Sequence, residues 1–159
     1  MWRILLPILC LDQLIKFWVK TSFAIGERMP FVPGILELQF IENEGMAFGW
    51  ALPGTLGKLL LTAFRLVAAV GIGVYISRRI KEHAPRGVLT GLTFVWAGAL
   101  GNIIDSAVYG RLFGRSGWGT LAEFLPEGGG YAPWFQGHVV DMFHFIAVSY
   151  THLTLPTKA

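Results

Sequence analysis

Two long apolar runs separated by a short basic loop leave few folds open to this chain. Residues 56–76 are mostly apolar and carry only Lys58 and Arg65 as charges, and residues 88–104 carry no charge at all. A helix that crosses a bilayer needs about 20 mostly apolar residues, so each run reads as a span. Gly91, Ala97, Gly98, Ala99 and Gly101 in the second run let neighbouring helices approach closely. A shorter run, residues 4–19, reads as another helix at the start of the chain. Composition agrees. Charged residues are 14% of 159, where soluble domains carry about 25%. The length suits one domain.

The loop between the spans, residues 77–86, holds Arg78, Arg79, Lys81 and Arg86 against Glu82. Basic loops stay in the cytoplasm. Residues 21–55 and the segment after Asp105 then lie outside, so Asp105 and Asp141 both face the outer side. In the first outer segment Ile35, Leu36, Leu38, Phe40 and Ile41 mix with Glu37 and Gln39 behind Pro30, Pro33 and Gly34. This pattern predicts a small sheet resting on the membrane surface. The second outer segment, residues 106–137, is glycine-rich, and its Trp118, Tyr131, Trp134 and Phe135 suit an interface. Residues 142–148 are apolar but too few to span. A fourth helix therefore starts at Met142 and stops, and a polar tail follows.

Several function classes drop out. No basic stripe with interleaved aromatics points to nucleic acid. The single Cys10 excludes an internal disulfide and a cysteine metal cluster, and it reads as a small buried hydrophobe in an uncleaved first helix. No nucleotide-binding glycine loop and no serine nucleophile elbow occurs. His138, Asp141 and His144, spaced by three, would form a metal face on a helix. Gly137 and the β-branched Val139-Val140 fit a loop or strand better, and no His-Glu-x-x-His core is present, so no metal is expected.

What remains is carboxylate chemistry at one membrane face. Acids at the ends of spans are expensive to keep and mark function. Asp105 closes the second span, and Asp141 ends Gly137-His138-Val139-Val140-Asp141. Asp12 and Lys16 share one helical face at i, i+4, and Asn102 and Asp105 share another at i, i+3. Plain structural readings stay open for both, a buried ion pair for the first and capping or inter-helix bonding for the second. Arg65 either snorkels or pairs with an acid.

Taken together and in order, four segments resemble the lipoprotein signal peptidase (signal peptidase II) family. They are Asp12-Gln13-x-x-Lys16, Asn43-x-Gly45-x-Ala47-Phe48, Gly98-Ala99-Leu100-Gly101-Asn102-Ile103-Ile104-Asp105 and Gly137-His138-Val139-Val140-Asp141. The insert with Pro126-Glu127-Gly128-Gly129-Gly130-Tyr131 is similar to Bacteroidetes-type members. The resemblance implies an all-α membrane bundle of four helices, three of them complete here, with a small outer-surface β segment. Residues 1–148 would form the membrane peptidase domain with its last helix incomplete, and 149–159 a tail foreign to the family.

It also implies an aspartic endopeptidase of the bacterial inner membrane. Such an enzyme removes signal peptides from diacylglyceryl-modified prolipoproteins on the outer side of the membrane. Asp141 matches one catalytic aspartate. The other belongs to a Phe-Asn-x-Ala-Asp motif that this sequence lacks, and Ser106 stands where the family has arginine. Asp12, Lys16, Asn43, Gly101, Asn102 and Asp105 match supporting or substrate-binding positions. The family implies no cofactor, no metal and no nucleic acid. Its partners would be lipidated prolipoproteins and membrane lipid, with the chain a monomer. A shared-proton mechanism needs two carboxylates, so the chain as written is expected to be inactive. A different class stays open beside this one: a non-catalytic membrane subunit or small transporter using Asp12, Lys16, Arg65 and Asp105 as buried polar sites.

Overall fold

The computed structural model describes residues 1–43, 46, 47, 50, 51 and 54–146. Its elements are α1 (Trp2–Ser22), β1 (Arg28–Val32), β2 (Leu36–Asn43), β3 (Met46–Ala47), β4 (Trp50–Ala51), α2 (Gly54–Lys81), α3 (Arg86–Ile104), α4 (Gly110–Leu112) and β5 (Val139–Phe145). A π-helical turn, Asp105–Tyr109, joins α3 to α4.

Two of these helices are long and apolar enough to cross a membrane, Leu56–Lys81 at mean hydropathy 2.1 and Arg86–Leu112 at 1.5. Arg78, Arg79 and Lys81 close α2, where cations suit the negative end of the helix dipole. The chain then turns through His83, at φ 55°. Pro85, with no N–H to donate, caps α3. Trp96 clamps the two helices: its indole N–H donates to Ala69 O at 2.8 Å, and its ring covers Gly73 so closely that a Cβ there would come within 2.9 Å. Phe64, Val67 and Val70 of α2 and Phe94 and Val95 of α3 point outward, an apolar surface that suits lipid.

The first helix forms as the sequence predicts, but it is not among the two apolar spans. Asp12, Lys16 and Lys20 interrupt its apolar run, and both lysines are buried against the rest of the protein. Cys10 corrects an expectation: it is exposed on α1, because the buried face of that helix is the one carrying Leu5, Lys16, Val19 and Lys20.

Three strands form one antiparallel sheet in the order β1-β2-β5. β2 sits in the centre and buries Leu38 and Phe40. They pack with Val19, Phe23, Tyr109, Phe113, Val140 and Met142 in a core between the sheet, the end of α1 and the end of α3. Here the sequence reading needs a second correction. No helix begins at Met142; β5 runs on through Phe145, with Phe143 opposite Leu38 and His144 opposite Glu37. Val139-Val140 favours extended backbone, and burial alternates from Val140 to Phe143 as a strand requires. The reading of Gly137 to Val140 as loop or strand entry holds: the strand begins at Val139.

The insert between α4 and β5 folds back on itself through isolated backbone bonds. Gly114 N donates to Glu123 O at 2.8 Å, and Tyr131 N to Phe113 O at 3.1 Å. Trp118, Trp134 and Phe135 are exposed, as an interfacial segment predicts. Tyr131 differs: it packs partly buried against the core.

Candidate active site

The site begins with a close approach of α1 to α3. A side chain at Gly101 would overlap the carboxylate of Asp12 and force it to shift, so the glycine lets Asp12 lie directly against α3. Lys16 is thereby buried against α3. Its Nζ donates to Asp105 Oδ2 at 2.7 Å and to Asn102 Oδ1 at 3.0 Å, and it lies 3.4 Å from Asp12 Oδ2. Gln13 Nε2 donates to Asp105 Oδ1 at 3.0 Å. The backbone N–H of Val140 reaches Asp105 Oδ2 at 3.3 Å.

Asp105 is 0% exposed. It opens the π turn, whose extra residue re-aims the side chains that follow. Both its oxygens are engaged, by α1 on one side and β5 on the other. Arg65, expected to snorkel or to pair with an acid, bonds instead to a serine: Nη1 donates to Ser106 Oγ at 3.0 Å, and Ser106 Oγ donates on to Asn102 O.

Asp141 is different in kind. It stands on β5 opposite Ile41, and its side is open. Partial enclosure raises its carboxyl above the ordinary carboxylate range, while the charges of Lys16 and Arg65 and a hydrogen bond from Asn43 pull it down. The predicted residues Asp12, Lys16, Asn43, Gly101, Asn102, Asp105 and Asp141 thus fall in one region, with Asp105 buried in it and Asp141 at its open side. Gly45 and Phe48 of the Asn43 segment and the polar tail lie outside the described residues.

Beside this region is a cluster that motif reasoning missed. Glu42, its side chain 6% exposed, accepts from Lys20 Nζ and from Ser116 Oγ at 2.7 Å. Its second oxygen lies 2.9 Å from His138 Nδ1, and His138 Nε2 lies 3.1 Å from Lys58 Nζ. Burial pushes the Glu42 carboxyl up, but the hydrogen bond from His138 and the charge and hydrogen bonds of Lys20 and Ser116 outweigh it and hold it at about 2. Lys20 Nζ also sits among three rings, 5.9 Å from Phe40, 5.4 Å from Phe113 and 5.1 Å from Tyr131. A signal was present. Period-two alternation puts Glu42 on the buried stripe of Leu38 and Phe40, and Lys20 follows Lys16 by one helical turn.

His144 lies on the strand face opposite Asp141, and His138 precedes the strand. Among the described residues no group of three His, Cys, Asp or Glu side chains could hold a metal ion.

The sequence profile of signal peptidase (SPase) II matches residues 4–157. A lipoprotein signal peptidase of Porphyromonas gingivalis is 43% identical over 141 residues, which cover 87% of this chain and 59% of that protein. One from Amoebophilus asiaticus is 31% identical over 137 residues, covering 84% and 54%. The chain thus spans under three fifths of the length of these relatives. A solved structure described as a bacterial membrane enzyme matches with a TM-score of 0.56 at 21% identity, over 89% of this chain and 67% of its own. That likeness concerns the fold. These likenesses do not favour the transporter or subunit alternative.

Proposed function

The chain belongs to the signal peptidase II family, and from that premise we propose that it carries half of an aspartic endopeptidase site. The full-length protein, in this reading, is a multi-pass enzyme of the inner membrane with the family's four-helix bundle. It removes signal peptides from diacylglyceryl-modified prolipoproteins on the outer face. Asp141 supplies one carboxylate. The second comes from a Phe-Asn-x-Ala-Asp segment that this sequence does not contain.

The observation that carries this reading is the contrast between the two aspartates. Asp105 is buried and both its oxygens are engaged by Lys16, Gln13 and Val140, so it is closed off from substrate. Asp141 is open, and its carboxyl is shifted towards the range in which a proton can be held and released. Two nearby carboxylates share one proton. The ionised member takes a proton from water, and the water oxygen attacks the scissile carbonyl. The protonated member donates to the carbonyl oxygen, and collapse of the tetrahedral adduct releases the signal-peptide carboxylate and the new amino terminus. The titration belongs to the pair. Asp12, Lys16, Asn43, Gly101, Asn102 and Asp105 hold the frame around it.

The test is a precursor assay on purified full-length protein. Cleavage of a diacylglyceryl-modified precursor, with the unlipidated precursor left intact, supports the reading. Equal cleavage of both, or of neither, contradicts it.

A further inference from the structure

Glu42 belongs to none of the segments that carry the proposed chemistry, yet α1, the insert and the residue just before β5 all reach it, and α2 meets that residue through Lys58. Oε1 accepts from Lys20 and from Ser116 Oγ, and Oε2 faces His138 Nδ1 at 2.9 Å. An ionised carboxylate only accepts, so Nδ1 of His138 carries the proton. Nε2 then presents its lone pair to Lys58 Nζ, 3.1 Å away. One tautomer satisfies both contacts.

His138 immediately precedes β5, and its backbone N–H donates to Tyr131 OH at 2.7 Å. In the register of the sheet Glu42 lies opposite Val140 and Ile41 opposite Asp141. Two carboxylates therefore hold the strand just before Asp141: Asp105 through the N–H of Val140, and Glu42 through the imidazole of His138. Burying Glu42 with Lys20 is costly in desolvation and often matched by well-packed apolar groups. What the ionic arrangement adds over apolar packing is direction.

We propose that Glu42, acting through His138, is a positioning residue for Asp141. The line Glu42–His138–Lys58 fixes the height and direction at which β5 presents the Asp141 carboxylate to the scissile bond. This rests on the peptidase reading above.

The experiment measures turnover of a lipidated precursor by full-length protein carrying this sequence, per folded molecule. Glu42→Gln removes the charge. His138→Leu breaks the line but leaves the Lys20–Glu42 pair in place, so it separates positioning from the buried ion pair. His138→Asn restores a donor near the place of Nδ1. The proposal predicts that kcat falls roughly ten- to a hundredfold in Glu42→Gln and His138→Leu. KM stays within about twofold, and His138→Asn recovers most of the lost rate. An unchanged kcat in His138→Leu overturns it. So does a loss that only tracks the folded fraction. Asp141→Asn is measured alongside. Turnover retained there overturns the peptidase reading and this proposal with it. Turnover abolished there, with His138→Leu unaffected, overturns the positioning role alone.

Discussion

Asp105 Oδ2 accepts the backbone N–H of Val140 at 3.3 Å, one residue before Asp141. The same oxygen accepts from Lys16 at 2.7 Å. A single buried atom thus links the first helix, the end of the third and the strand that carries the candidate catalytic acid. In the proposed reading the two aspartates divide the work: one is a fixed point and the other reacts.

That division predicts what the loss of Asp105 does to folding. Asp105→Ala strands Lys16, whose side chain is 4% exposed, with only the longer Asp12 contact and Asn102. Removing one partner of a buried pair destabilises by about 3–5 kcal/mol. Chemical unfolding in detergent micelles checks this. Lys16→Met combined with Asp105→Leu is expected to recover much of the loss, because it leaves no unpaired buried charge.

Glu42 makes stability depend on acid. Its folded carboxyl titrates at about 2, below its ordinary 4.5. Falling pH protonates the unfolded chain first, so protons favour unfolding. The stabilisation is complete above pH 4.5 and is lost as pH falls towards 2. The expected loss is on the order of 1–3 kcal/mol. Unfolding midpoints between pH 6 and pH 2 measure it, and in Glu42→Gln this part of the pH dependence disappears.

The basic loop predicts an orientation with residues 77–86 in the cytoplasm. With Cys10→Ser in place, a cysteine at Ser77 is expected to resist an impermeant thiol reagent in intact cells, while one at Thr21 reacts. Labelling at position 77 from outside reverses the topology.

Much of this architecture was legible because burial leaves marks in sequence. The two apolar spans, the strand pattern around Leu38 and Phe40, and the glycine at 101 each follow from one local rule. The Asp12–Lys16 spacing was legible too, but not its main partner: Lys16 lies closer to Asp105 than to Asp12, because tertiary packing brings α3 against that face. Glu42 went unread for the same reason. Its partners, Lys20, Ser116 and His138, lie 22, 74 and 96 residues away, and no local spacing announces such pairs. At Met142 a short apolar stretch was ambiguous between helix and strand. The exposed edge of β2 decided it, by offering β5 a partner along its length.

The central claim is that Asp141 does chemistry while Asp105 holds shape. The most direct measurement is kcat for a lipidated precursor, per folded molecule, in full-length protein carrying Asp141→Asn or Asp105→Asn. The account predicts that Asp141→Asn folds as the parent does, binds precursor and loses turnover by at least about a thousandfold. Asp105→Asn is predicted to lose stability chiefly, with the folded fraction retaining a measurable rate. Near-normal turnover in Asp141→Asn contradicts the account.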